Sequence, residues 1–332
     1  MQLVEYNSFI AEGRNAASKA KQDVSVILHR MGCRNLYNPS KNRLVRIIQQ
    51  ACSLFFLSKS TLLFIQYPSN IPFFYRFLRH KKKIKTIVII HDLESLRDRR
   101  EKEIELDLFN GFDYIISHNP SMTKYLTDNG VIKPIYNLMI FDYLLNDKIQ
   151  INSMFGKKTV FFAGNLSKSF FLRELHKILD INFNLYGVSF NGIKEIESQQ
   201  NVCYKGSYSP DQLIFNIEGG WGLVWDGDTL ETCSGVTGEY LRYNNPHKVS
   251  MCIVSERPII IWRKSAIADY IVANGLGIVV DSLLELPSIL SSIPESVYHN
   301  MVDNVKKEKS RLVKGASLKT VIDKILNQIN FT

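Results

Sequence analysis

The 332-residue chain has no apolar run approaching the roughly 18 residues that span a bilayer, and its first residues, MQLVEYNSFIAEGRN, hold no basic segment leading into an apolar core. A membrane-spanning or signal-led protein is therefore not expected. Five cysteines (Cys33, Cys52, Cys203, Cys233 and Cys252) are odd in number, widely spaced and include no C-x-x-C pair, which argues against a zinc site and against a disulfide framework. A soluble protein of the reducing cytoplasm is the expectation. Neither a Walker loop nor a G-x-G-x-x-G fingerprint occurs, so an ATPase or a dehydrogenase is disfavoured. Short-period repeats and low-complexity tracts are also missing. Carboxylates are in deficit, 32 Asp+Glu against 41 Lys+Arg, and the formal charge of +9 suits an anionic partner. Nucleic acid is the least favoured of these, because the aromatic residues fall inside strand and helix patterns rather than between lysines as stacking platforms.

What the chain does contain is apolar material, 45% of residues, in a length that exceeds a single core. Non-alternating β-rich runs at 62–67, 86–92 and 114–119, with another near the start, read as strands buried on both faces. Helical segments lie between them: NRLVRIIQQACSLFFLSK, FFYRFLRHKKK, EKEIELDLFNG and PSMTKYLTDNG. The rhythm repeats at 159–164, 183–188, 222–226, 257–262 and 276–280. Strand then helix, twice over, predicts an α/β protein of two Rossmann-like domains facing each other across a cleft. The boundary is placed near 150, giving domains of 1–150 and 151–332, with 142–157 as a polar linker and the segment after 295 as one or two helices packing back.

Ligands of parallel α/β sheets bind beyond the carboxyl ends of the strands, which singles out four places. In FFAGNLSKSFF, Gly164 ends a strand, Ser167 is placed to cap a helix and Lys168 falls in its first turn, where it is either a phosphate contact or a solvated lysine. The stretch WDGDTLETCSGVTGEYLRYNNPHK carries Asp226 and Asp228, a partial metal site at best, and ends on Lys248, which with helix N–H groups can neutralise a diphosphate without an ion. Glu231 and Glu239 in the same stretch read as solvated carboxylates of a loop long enough to be a lid. The strand in VIIHDLESLR delivers His91 and Asp92 to the cleft edge as candidate bases, with a capping and packing role as the alternative and Arg97 nearby as a possible anion contact. His118 and Asn119 end another strand, in a site or a structural role. The basic run at 76–85, with Arg43 and Arg46 on an amphipathic helix, faces either anionic lipid or water.

The segments IIHDLESLR, ISHNPSMTKYL, FAGNLSK, GLVWDGDTLETCSGVTGEYL, NNPHK and IADYIVANGLG resemble the bacterial β-1,6-galactofuranosyltransferases of O-antigen synthesis and, more distantly, the glucosyltransferases that elongate glycans on serine-rich adhesins. The resemblance implies a GT-B fold, an N-terminal acceptor domain, a C-terminal nucleotide-sugar domain and no metal. It implies Lys168 and Lys248 on the diphosphate with Asn245 and Gly164 close by, Tyr186 and Gly187 near uracil and ribose, and Asp226 and Asp228 near the sugar. Asp92 is the first choice of base, followed by His91 and Asp228. The implied partners are UDP-galactofuranose or another UDP-sugar and a lipid-linked glycan at the inner face of the cytoplasmic membrane, in a chain able to self-associate. A UDP-glucose-dependent transferase and a non-catalytic GT-B-like subunit stand as alternatives.

Overall fold

The computed structural model describes residues 1–6, 16–38, 40–55, 57–69, 84–145 and 156–331. Two compact units emerge, one of residues 1–6 and 17–138 together with the stretch from Gly315 onward, the other of residues 139–314. The first carries a parallel sheet of β1 (Gln2–Tyr6), β2 (Arg34–Asn35), β3 (Thr61–Tyr67), β4 (Lys85–Ile90), β5 (Tyr114–Ser117) and β6 (Ile135–Asn137), ordered β2-β1-β3-β4-β5-β6. Its helices include α1 (Ala16–Arg30), α2 (Arg43–Phe55), α3 (Lys102–Asn110) and α4 (Pro120–Asp128).

The second unit repeats the plan with β7 (Thr159–Ala163), β8 (Asn182–Tyr186), β9 (Val202–Gly206), β10 (Trp221–Val224), β11 (Ile259–Trp262) and β12 (Gly277–Val280), ordered β12-β11-β10-β7-β8-β9 and again parallel. Around it lie α5 (Ile193–Glu197), α6 (Pro210–Asn216), α7 (Gly235–Glu239), α8 (His247–Val254), α9 (Ala268–Ala273), α10 (Leu286–Ser292) and α11 (Glu295–Leu312). Gly315, at φ +75 and pressed against Ile27, makes the turn into α12 (Ala316–Phe331), which belongs to the first unit.

The central strands are apolar on both faces because both faces are covered. Every residue of β3, β5, β10 and β11 is buried, which is why each reads as a continuous run rather than an alternating one. Two expectations are corrected. Residues 142–145 are not a loose polar linker: Tyr143 and Leu144 are buried, the Tyr143 hydroxyl donates to the Pro210 carbonyl at 3.0 Å, and its ring stacks on His247. Residues 146–155 of that stretch, the helix expected at 73–83 and most of the basic run at 76–85 lie outside the described residues. The segment after β7 forms 3-10 turns, Leu166–Lys168 and Phe170–Lys177, instead of an α-helix. Among the described residues no helix is long and apolar enough to cross a membrane.

Candidate active site

In the second sheet the chain steps outward from β7 to β8 and β9, then returns to the other side of β7 to lay down β10. The carboxyl ends of β7 and β10 are thus a topological switch point, where an open α/β sheet offers a ligand crevice. Gly222 in β10 has no side chain, and Cys252 of α8 occupies the space: a Cβ there would lie 2.3 Å from its Sγ. That close seating sets the start of α8, and with it Lys248, above the strand ends. The Lys248 Nζ stands 2.7 Å from Asp226 Oδ1 and 3.3 Å from the Trp225 carbonyl, over the Phe162 ring at 4.5 Å. Its stem passes Gly164, where a Cβ would come within 3.1 Å of Lys248 Cε. Gly187 at the end of β8 completes the floor, since a Cβ on it would meet the Gly164 carbonyl oxygen at 2.3 Å.

Gly164, Gly187, Asp226 and Lys248 therefore meet at one place, at the head of a helix that follows Pro246 with no capping side chain. A lysine in the first turn of a helix opposes the macrodipole, and the Asp226 carboxylate offsets it. An incoming diphosphate can take over that counter-charge from Asp226. The site then needs only an amine, helix N–H groups and a backbone without side chains in the way.

Other expected residues are placed differently. The Tyr186 side chain is 1% exposed, and its hydroxyl donates to the Asn216 carbonyl and accepts from the Glu218 N–H, so it offers a ligand no side-chain surface. Asn245 is buried and its Nδ2 donates to the Met139 carbonyl at 2.7 Å, tying residues 139–145 to the loop before α8. Ser167 bonds the Asn165 side chain and caps no helix, and Lys168 is an exposed residue at the end of a single 3-10 turn, which removes the helix-dipole argument for it. Asp228 is exposed beside Gly235, where a Cβ would crowd its Oδ2 at 2.7 Å. Glu231 is exposed and Glu239 pairs with Arg242. The stretch holding them is a packed wall instead of a lid: Leu230, Cys233 and Leu241 all enter the core. Among the described residues no group of three or more His, Cys, Asp or Glu is arranged to hold a metal ion.

The first sheet has its own switch point, between β1 and β3. There Gln66, a lone amide in an apolar strand, donates through Nε2 to Glu5 Oε1 at 2.7 Å, Ser25 Oγ at 2.9 Å and the Lys21 carbonyl at 3.1 Å. Its Oε1 is left facing His91 Nε2 at 2.7 Å and so accepts a hydrogen bond from the ring N–H. Neutral His91 is thereby held with its proton on Nε2 and Nδ1 as the acceptor nitrogen. Burial raises the Glu5 carboxyl above its usual range, against the hydrogen bonds from Ser25 and Gln66. Burial likewise lowers the Lys21 ammonium, which Asp92 and Glu94 pull back up.

Asp92 pairs with Arg97, whose guanidinium occupies its carboxylate. The loop carrying both is fastened by Glu105, fully buried on α3, which accepts from the Tyr67 hydroxyl at 2.6 Å, the Glu94 N–H at 2.7 Å and the Ser95 N–H at 3.1 Å. Sequence reasoning passed over Gln66, Glu5 and Glu105. The available signal was a polar residue inside an apolar run, in LLFIQY above all.

His118 and Asn119 take structural roles. Asn119 caps α4, accepting from the Met122 N–H at 2.9 Å ahead of Pro120. His118 is buried, its Nε2 lies 3.0 Å from the Ile90 carbonyl, and burial pushes its pKa down to about 4. The folded state thus resists a proton that the unfolded chain accepts near pH 6.5, so this stability is present above 6.5 and lost as the pH falls toward 4. His118→Gln, which keeps a donor for Ile90 without a titrating ring, is expected to flatten the fall in melting temperature across that range.

Comparison with known proteins agrees with this architecture. The model of the glucosyltransferase 3-like N-terminal domain matches residues 6–140, and that of the corresponding C-terminal domain residues 160–325. The β-1,6-galactofuranosyltransferase WbbI of Escherichia coli strain K12 is 33% identical over 298 residues, 86% of each chain. Glucosyltransferase 3 of Streptococcus gordonii is 26% identical, over 74% of this chain and 72% of its own. Among solved structures, Anabaena Alr3699/HepE in complex with UDP and glucose superposes with a TM-score of 0.57 over the full length of both chains at 12% identity, which speaks to the fold. Two Rossmann-like domains of this kind define a GT-B glycosyltransferase, an enzyme that draws on a nucleotide sugar. The chain belongs to the glucosyltransferase 3-like family.

Proposed function

We propose that this chain transfers galactofuranose from UDP-galactofuranose to a sugar hydroxyl of a lipid-linked surface-polysaccharide precursor, through a β-1,6 bond to a glucosyl residue, by an inverting displacement that needs no metal. The observation that carries this reading is the 33% identity to WbbI over 86% of both chains. In the reaction the acceptor oxygen bonds to the anomeric carbon as the bond to the diphosphate breaks, and the electron pair leaves with UDP. Lys248, the head of α8 and the glycine floor of Gly164 and Gly187 receive the growing negative charge. Asp226, released from Lys248, faces the sugar, with Lys168 and Asp228 as outer contacts. His91 accepts the hydroxyl proton on Nδ1, ahead of Asp92, because Arg97 already claims the Asp92 carboxylate.

A second reading, UDP-glucose as donor, draws on the 26% identity to glucosyltransferase 3 of Streptococcus gordonii. Donor competition separates the two. With a glucoside acceptor, UDP release is expected from UDP-galactofuranose in preference to UDP-glucose. Preference for UDP-glucose would overturn the galactofuranose assignment. UDP binding without acceptor-dependent turnover of either donor would point to a non-catalytic subunit.

A further inference from the structure

Helix α2 shows water an apolar face. Leu44, Val45 and Ile48 are 72%, 45% and 63% exposed, and Ala51 and Cys52 are exposed beside them. At about 100° per residue these five positions share one face of the helix, while Leu54 enters the core and Ile47 is half-buried on the other side. A helix laid against a sheet ordinarily buries its apolar stripe and turns polar residues outward. Here the outward face is apolar across two turns, and an apolar patch of that kind marks an interaction surface.

Charge indicates what covers it. From residue 24 to residue 91 the sequence contains no Asp or Glu, and the described residues of that stretch include seven Lys and Arg. Helix α2 lies in the middle of that stretch. Exposed Lys41 precedes it, exposed Lys59 follows it, and Arg46 on its flank bonds the Ser40 carbonyl. The part of the stretch at residues 70–83 lies outside the described residues and forms no part of this surface. An apolar stripe bounded by cations, with no carboxylate nearby in sequence, matches a bilayer interface: acyl chains meet the stripe and anionic headgroups meet the lysines and arginine.

We propose that α2 docks this protein on an anionic lipid surface, with Leu44, Val45 and Ile48 entering the acyl boundary and Lys41, Arg46 and Lys59 at the headgroups. Docking of this kind is independent of the donor sugar, and with the lipid-linked acceptor proposed above it gives the first unit a direct route to its substrate.

Sedimentation of the full chain with vesicles tests it. Binding is expected to vesicles of phosphatidylcholine mixed with phosphatidylglycerol, and to weaken on phosphatidylcholine alone and at high salt. The double variant Leu44→Ser with Ile48→Ser is expected to lose about tenfold in vesicle binding while UDP release with a water-soluble glucoside is unchanged, which separates docking from catalysis. Val45→Trp supplies a second readout. The three native tryptophans, Trp221, Trp225 and Trp262, are fully buried, so the introduced indole reports alone on the surface. Its emission is expected to shift to the blue and to be quenched by brominated lipid on vesicle addition. No binding by the unaltered chain, equal binding by the double variant, or emission indifferent to vesicles would each overturn the proposal. So would self-association in the absence of lipid that the double variant abolishes, since a second copy would then be what covers the stripe.

Discussion

With Lys248 replaced by alanine, turnover is expected to fall by on the order of 10²–10³-fold, with UDP affinity weakened and the fold intact. The reasoning is electrostatic. As the sugar leaves, negative charge collects on the diphosphate, and the lysine amine sits at the β7/β10 switch point with its stem packed on Phe162 and Gly164. Removing it leaves Asp226 without its 2.7 Å partner, a second negative charge where an anion must develop. Lys248→Arg is not a neutral exchange: the planar guanidinium is bulkier than the amine, whose stem runs close enough to Gly164 that a Cβ there would lie 3.1 Å from Lys248 Cε. Lys205→Ala is the control, because its bridge to Glu218 forms beside the edge strand β9, and no change in turnover is expected. Steady-state UDP release and UDP titration read the comparison. Unchanged turnover and affinity in Lys248→Ala would remove the diphosphate assignment.

His91→Ala is expected to lower kcat by on the order of 10²–10⁴-fold, and Asp92→Asn by much less. The contrast follows from their partners. Asp92 is paired with Arg97, so its carboxylate is already engaged by a guanidinium. His91 is oriented by Gln66, whose own amide is fixed by Glu5, Ser25 and the Lys21 carbonyl. Gln66→Leu removes the tautomer control without touching the ring, so kcat is expected to drop with a changed pH profile and KM for the donor to stay constant. Loss of activity in Asp92→Asn alongside an active His91→Ala would transfer the base role to Asp92.

Much of the fold was legible because central strands of doubly wound sheets must be apolar on both sides. The runs read at 62–67, 114–119, 159–164 and 257–262 became β3, β5, β7 and β11. The strands that escaped, β2, β6 and β9, are edge strands. An edge strand such as Val-Cys-Tyr-Lys-Gly is half-covered and carries no continuous apolar signature.

Around Lys248, the strand and helix pattern reached the lysine, Gly164 and Asp226, since each follows a strand or begins a helix, while Gly187 came only with the family resemblance, which put it near uracil and ribose. It could not see that the Asn245 amide is engaged by a carbonyl 106 positions away or that the Tyr186 hydroxyl turns inward to Asn216 and Glu218. Nor could it tell a 3-10 turn from an α-helix at residues 166–168, on which the helix-dipole argument for Lys168 rested. The two side-chain bonds are tertiary choices, each joining groups far apart in sequence.

If an amine and a helix end handle the diphosphate where a metal otherwise would, UDP release must survive excess EDTA. With UDP-galactofuranose and a glucoside acceptor, release is expected to be undiminished in EDTA and to gain nothing from added magnesium or manganese. Release that vanishes in EDTA and returns with either ion would contradict it, and would make Asp226 and Asp228 ligands of a cation in place of partners to Lys248 and the sugar.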